Sequence, residues 1–195
     1  MAIQGESEYR KALTRINNTQ KELQSELKLT QSQYQNNANS MAALTSKGAA
    51  LNKLFESQSN KVDELKKALA NAEKAEKGYA SQKEELSQKI KKNSERLKEL
   101  AKSTEDTTEE SEKLKAENKE LAAQLFKVEG NLDAASRGVN SWKTQLNTAE
   151  IKLSDLNAEV KLNDEYLDEA KKSADKCATS IDRLHRYLQK QVLPL

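Results

Sequence analysis

The chain has 195 residues, of which 33% are charged, 35% apolar and only 4% aromatic, with five glycines and one proline. Globular domains run nearer 45–50% apolar with roughly 12% glycine plus proline. The composition therefore excludes a layered fold with a two-sided core and matches long helices and coiled coils. Thirty-three basic against 31 acidic residues give a net charge of +2, without the concentrated basic face of a nucleic-acid binder.

From the N-terminus, apolar residues recur at two positions of a seven-residue repeat, one series starting at Leu13 (a) and one at Tyr9 (d). A first coiled coil is predicted over residues 6–102, with its seam on Leu13, Ile16, Leu23, Leu27, Leu51, Phe55, Val62, Leu65, Leu69, Leu86, Ile90 and Leu97. It has weak points near 36–40, a polar run from Asn36 to Ser40, and near 76–83. In the second stretch lie the only charged seam residues, Glu76 and Lys83, and Gly78 precedes a capping-box pattern, Ser81 to Glu84. Residues 103–111 (STEDTTEES) form a hinge rich in capping residues that compete with helical hydrogen bonds, with a second box from Thr107 to Glu110. A second coiled coil follows over 112–190, on Leu121, Leu125, Val128, Leu132, Trp142, Leu146, Leu153, Leu156, Val160, Leu167, Ile181 and Leu184, softened by Gly130 and Gly138. Residues 191–195 are a tail in which Pro194 ends the helix.

Counting decides the period. Of 52 a and d positions, 39 are apolar, against 30 of the other 143. Such a repeat keeps one stripe facing a partner as a left-handed supercoil winds. The phase survives every soft stretch, which favours weak points within long helices over true turns. The fold class is all-α, long coiled-coil helices as an extended rod or a helical hairpin, with no globular core. Leucine dominates both seams and β-branched residues at a are few, so dimer and trimer are not distinguished. Gln20, Asn37, Gln58, Asn93, Asn118 and Asn163 fall on the seam, either as register-setting polar layers or as parts of a loose, wet coil.

Residues that carry chemistry are scarce. His185 is the only histidine and falls at an outer position, and Cys177, the only cysteine, occupies a d position between Ala170 and Leu184, where a small side chain packs. One cysteine excludes a disulfide framework within the chain and fits a reducing compartment. Trp142, Tyr9, Tyr34 and Tyr79 are seam residues and read as core, while Tyr166 and Tyr187 flank the seam. No phosphate-binding loop, zinc-ligand spacing or nucleophile motif is present, so neither catalytic activity nor a cofactor or metal is expected. Residues 1–9 have no basic-then-apolar pattern. The longest apolar run, Met41 to Leu44, is far short of the ~20 residues of a membrane span, so a soluble chain without membrane contact is expected.

Several phrases carry a family resemblance beyond their periodicity: Gly5, Glu6, Glu8 and Tyr9 at the start, Ala43 to Lys47, Trp142 to Gln145, and Tyr166 to Lys171. Over Ile3 to Ala72 and Val139 to Asp182 the chain resembles the N-terminal coiled-coil region of tail tape measure proteins from siphophages and prophages of Gram-positive bacteria. The resemblance implies a helical rod around which tail-tube subunits polymerise. It also implies self-association as a dimer or trimer, contacts with tail-tube or tail-chaperone proteins, and no nucleic acid. The implied location is the bacterial host cytoplasm during assembly and the tail lumen of the virion. Arg183 to Leu195 is basic and then apolar, where the family continues with an acidic, glycine-containing stretch. That difference fits a short mimic that interferes with tail assembly, and the periodicity alone also fits a generic coiled-coil spacer.

Overall fold

The computed structural model describes residues 6–103 and 107–192. Three helices account for 94% of them, with no strand among the described residues. These are α1 (Glu6–Gln33), α2 (Met41–Leu100) and α3 (Thr108–Val192). The fold is all-α, made of long helices that pair as hairpins. Gly5, the seam residue Thr104, Pro194 and most of the expected tail lie outside the described residues. Alanine, leucine, glutamate, glutamine and lysine favour helix everywhere, but a helix in water draws most of its stability from packing one face.

The polar run at 36–40 was expected to be a weak point in a continuous helix and 103–111 a hinge; the chain turns at both. After Gln33, Tyr34 N donates to Thr30 O (3.3 Å), Gln35 N to Ser32 O (3.3 Å), Asn37 N to Tyr34 O (2.8 Å) and Ser40 N to Asn37 O (3.0 Å). The Ser40 hydroxyl then accepts from Ala43 N at 3.2 Å and caps α2. At the other end of α2, Lys102 N donates to Glu99 O (3.0 Å) and Ser103 N to Leu100 O (3.1 Å). Thr107 stands at the N-cap of α3, but its hydroxyl donates back to Leu100 O at 3.4 Å. Glu109 and Glu110 occupy the first turn, where the helix dipole favours negative charge. The interruptions cover residues 34–40 and 101–107, seven residues each. One heptad is lost and the a/d phase resumes unchanged, so an unbroken phase was no evidence against turns.

The stretch 76–83 is helical throughout, and Ser81 starts no new helix. Its two charged seam residues are paired across to α3. Glu76 accepts from the Ser136 hydroxyl at 2.6 Å, and Lys83 bridges Glu129 at 3.0 Å.

The chain forms two compact units, each assembled from separate stretches of the sequence. One takes the start of α1, up to Lys11, with Glu64–Asn147; the other takes Ala12–Asp63 with the chain from Thr148 onward. In the first, α2 and α3 run antiparallel, as Glu76–Ser136, Lys83–Glu129 and Arg96–Glu110 show by their opposed numbering. Its buried stripe is Leu65, Ala68, Ala72, Leu100, Leu121, Ala135, Trp142 and Leu146. Arg10 of α1 lies 5.3 Å from the centroid of the Trp142 ring, a cation–π contact.

In the second unit three helices pack together. Antiparallel α1 and α2 are linked by Glu26–Lys53 (2.8 Å) and Asn17–Lys61 (2.7 Å). Antiparallel α2 and α3 are linked by Leu44 and Asn163. Leu13, Leu44, Leu51, Leu54 and Val62 form the centre.

Glycine positions give a direct test of this packing. A Cβ at Gly78 or Gly130 meets nothing within 4 Å, whereas one at Gly48 falls 2.8 Å from Asn163 Nδ2, an atom already held by Leu44 O. Gly78→Ala and Gly130→Ala are each expected to raise stability by about 0.5–1 kcal/mol in urea unfolding, the helical difference between alanine and glycine. Gly48→Ala is expected to lower stability, and a gain there equal to that at Gly78 would contradict the close approach.

Candidate helix-pairing interface

The only surface the sequence marks out is the seam, and the structure sorts its residues into three groups. Leu13, Leu51, Val62, Leu65, Leu121, Trp142 and Leu146 are buried. Ile16, Leu23, Leu27, Phe55, Leu69, Leu86, Ile90, Leu97, Leu125, Val128, Leu132, Leu153, Leu156, Val160 and Leu167 are half-buried, turned to a neighbouring helix but wet at one edge. Ile181 and Leu184 are exposed, as is every residue from 171 to 191. Cys177, expected to pack on the seam, is therefore on the surface. His185 is exposed as well, with Gln189 Nε2 2.9 Å from its Nε2.

Leu54, Ala50 and Ala68 are buried although they lie off the two-position seam. In the second unit the reason is that α2 faces two helices. A two-position stripe serves one partner, and a middle helix needs a wider face. Small or apolar residues at flanking positions of α2 were the available signal.

Gln58 shows this double facing in one side chain. Its Oε1 accepts from Gln20 Nε2 of α1 at 2.7 Å, and its Nε2 donates to Ala149 O of α3 at 2.7 Å. With only 2% of its surface exposed, Gln58 fixes all three helices at one level. Asn163, equally enclosed, donates from Nδ2 to Leu44 O at 3.0 Å over the bare Gly48. Of the two readings of the polar seam, the register-setting one describes Gln20, Gln58 and Asn163. Asn163 Oδ1, Asn93 Nδ2 and Asn118 Oδ1 are buried without a hydrogen-bond partner among protein atoms. Such groups oppose stability by about 1–3 kcal/mol each. Asn37, by contrast, lies in the first turn and is exposed.

Charge adds modest detail. Burial, and then the nearby Lys152 ammonium, push Lys61 below its ordinary value, while its Nζ donates to Asn17 Oδ1 at 2.7 Å. Hydrogen bonds from Arg96 to Glu110 and Glu99 hold its guanidinium firmly charged across the end of the hairpin. The remaining ion pairs are exposed, and such pairs contribute little.

Among the described residues no group of three His, Cys, Asp or Glu side chains is placed to hold a metal ion. No helix among them is long and apolar enough to cross a membrane. The arrangement offers helix pairing: an apolar stripe with polar layers that choose its register. Comparison with protein families, curated proteins and solved structures finds no match to the chain.

The Gln20–Gln58 layer is open to a double-mutant cycle. Gln20→Ala, Gln58→Ala and their combination, measured by urea unfolding, should give a coupling energy of about 1 kcal/mol, that of one net hydrogen bond. Strict additivity would mean that the two amides do not meet.

Proposed function

We propose that the chain is a structural protein of phage tail assembly, a tape-measure-like helical rod that templates tail-tube length and performs no catalysis. The observation that carries this reading is the continuity of one heptad phase through two turns, each one heptad long. The same apolar stripe serves a folded-back hairpin, where helices of one chain cover it, and an extended rod, where other copies cover it. A helix converts residue number into length at ~1.5 Å per residue, which is the property a ruler needs. The phrases at Glu6 to Tyr9, Ala43 to Lys47, Trp142 to Gln145 and Tyr166 to Lys171 support the same family. Its partners are then tail-tube or tail-chaperone proteins docking on the polar helix faces, in the host cytoplasm during assembly and in the tail lumen afterwards.

A second reading draws on the hairpin itself. Because α2 and α3 satisfy much of the seam within one chain, the folded-back form is a self-contained mimic that enters tail assembly and blocks it.

Deleting residues 84–90 and 122–128 together removes one heptad from each facing helix and keeps the hairpin in register. In the phage encoding the chain, where the ruler acts as the extended rod, tails should shorten by about 21 Å, the rise of 14 helical residues laid end to end. Tails of unchanged length would contradict the ruler. If the chain is instead an interfering mimic, expressing it during infection lowers the yield of tailed particles while capsid numbers hold.

A further inference from the structure

The last part of α3 keeps the seam but has nothing packed on it. Residues 171–191 are exposed throughout, with Ile181 at 61%, Leu184 at 58% and Leu188 at 50%. Ala170, Ala174, Cys177, Ile181, Leu184 and Leu188 continue, without change of phase, the series that buries Asn163 and half-buries Leu167 in the preceding turns of the same helix. Single exposed leucines are ordinary. A stripe of them on a formed helix, in register with an existing interface, is a helix-pairing surface without its partner helix.

We propose that this stretch pairs with the same stretch of a second copy of the chain, antiparallel, about a two-fold axis near residue 179. The sequence of the stripe favours this pairing. Its first half is small (Ala170, Ala174, Cys177) and its second half large (Ile181, Leu184, Leu188). In an antiparallel pair a positions meet d positions. A register centred on 179 sets Ala170 against Leu188, Ala174 against Leu184 and Cys177 against Ile181 of the second copy, each layer occurring twice by symmetry. Every layer then joins one small and one large side chain, which holds the helix spacing constant and leaves no void. Sliding the register by one heptad brings Leu184 onto Ile181 in one direction and Ala174 onto Cys177 in the other. Parallel pairing stacks alanine on alanine at one end and leucine on leucine at the other.

Two further observations select the same arrangement. The centred register brings Gln191 of the second copy level with Leu167, where burial within the unit begins, so the pairing covers residues 171–191 and stops at existing packing. Within the paired span the first half is charge-balanced (Asp168, Glu169 and Asp175 against Lys171, Lys172 and Lys176), and the second half is net basic (Arg183, Arg186 and Lys190 against Asp182). Antiparallel pairing lays each basic half beside a balanced one, with Lys190 level with Asp168, whereas parallel pairing lays the two basic halves together. Because the helix is already formed, association orders little new backbone.

Sedimentation equilibrium of the full chain tests the association. The expected mass is twice the 21.9 kDa of one chain. Ile181→Asp/Leu184→Asp should return it to one chain with unchanged helical circular dichroism, since both side chains are exposed in the single chain. Orientation is read by oxidising an equal mixture of the unaltered chain and a Cys177→Ala/Ile181→Cys chain. The antiparallel register predicts that the mixed disulfide dominates. A one-chain mass for the unaltered protein, or a dominant Cys177–Cys177 disulfide, would overturn the proposal.

Discussion

The structure depends on the need to hide one narrow apolar stripe from water along helices that are otherwise charged. The stripe widens on α2 where that helix meets two others, but this is too little to build a layered core, and single helices of this composition gain too little from propensity to stand alone. The chain meets the requirement by turning back on itself. Leu65 and Leu51, both fully enclosed, lie on the stripe of α2, the helix that faces α3 in both units and α1 as well in the second. Each unit is therefore built from segments far apart in sequence, held by contacts between helices.

An apolar stripe does not by itself say which heptad meets which, because leucine against leucine is nearly the same one heptad along. Polar layers break that degeneracy. Gln58 needs an amide from α1 and a carbonyl from α3 at one level, and Asn163 needs the gap above Gly48 and the carbonyl of Leu44. A shift of either helix leaves those groups buried and unbonded, a larger loss than the apolar contacts would recover. Glu76 and Lys83 act in the same sense at the surface of the first unit, each with a single partner on α3. Stability comes from the leucines, and the choice of alignment comes from a few amides and charges.

The heptad count made the stripe legible from Leu13 to Leu167, and with it the all-helical class. The turns were not legible from phase, because segments 34–40 and 101–107 each replace one heptad. Their residue types were the better guide: Ser40 caps α2, and Thr107 closes on Leu100. Gly78 and the Ser81–Glu84 pattern leave α2 unbroken, since a helix tolerates an exposed glycine and capping residues when its stripe stays packed on both sides of them. Leu54 and Ala50 escaped a two-position seam because that pattern assumes one neighbour per helix. Ile181 and Leu184 were legible as seam residues, but periodicity records only a capacity to pair, and no helix of the same chain reaches them.

The central claim is that α2 folds back on α3, and a distance across the first unit tests it most directly. Spin labels at Glu85→Cys and Lys127→Cys, in a Cys177→Ala background, sit on opposite walls of one groove between the two helices. Pulsed electron resonance on the full chain should give the short separation of neighbouring helices, about 10 Å between axes plus the label arms. A distance near the ~63 Å that a sequence separation of 42 residues spans as one continuous helix would contradict the hairpin and return the chain to an extended rod.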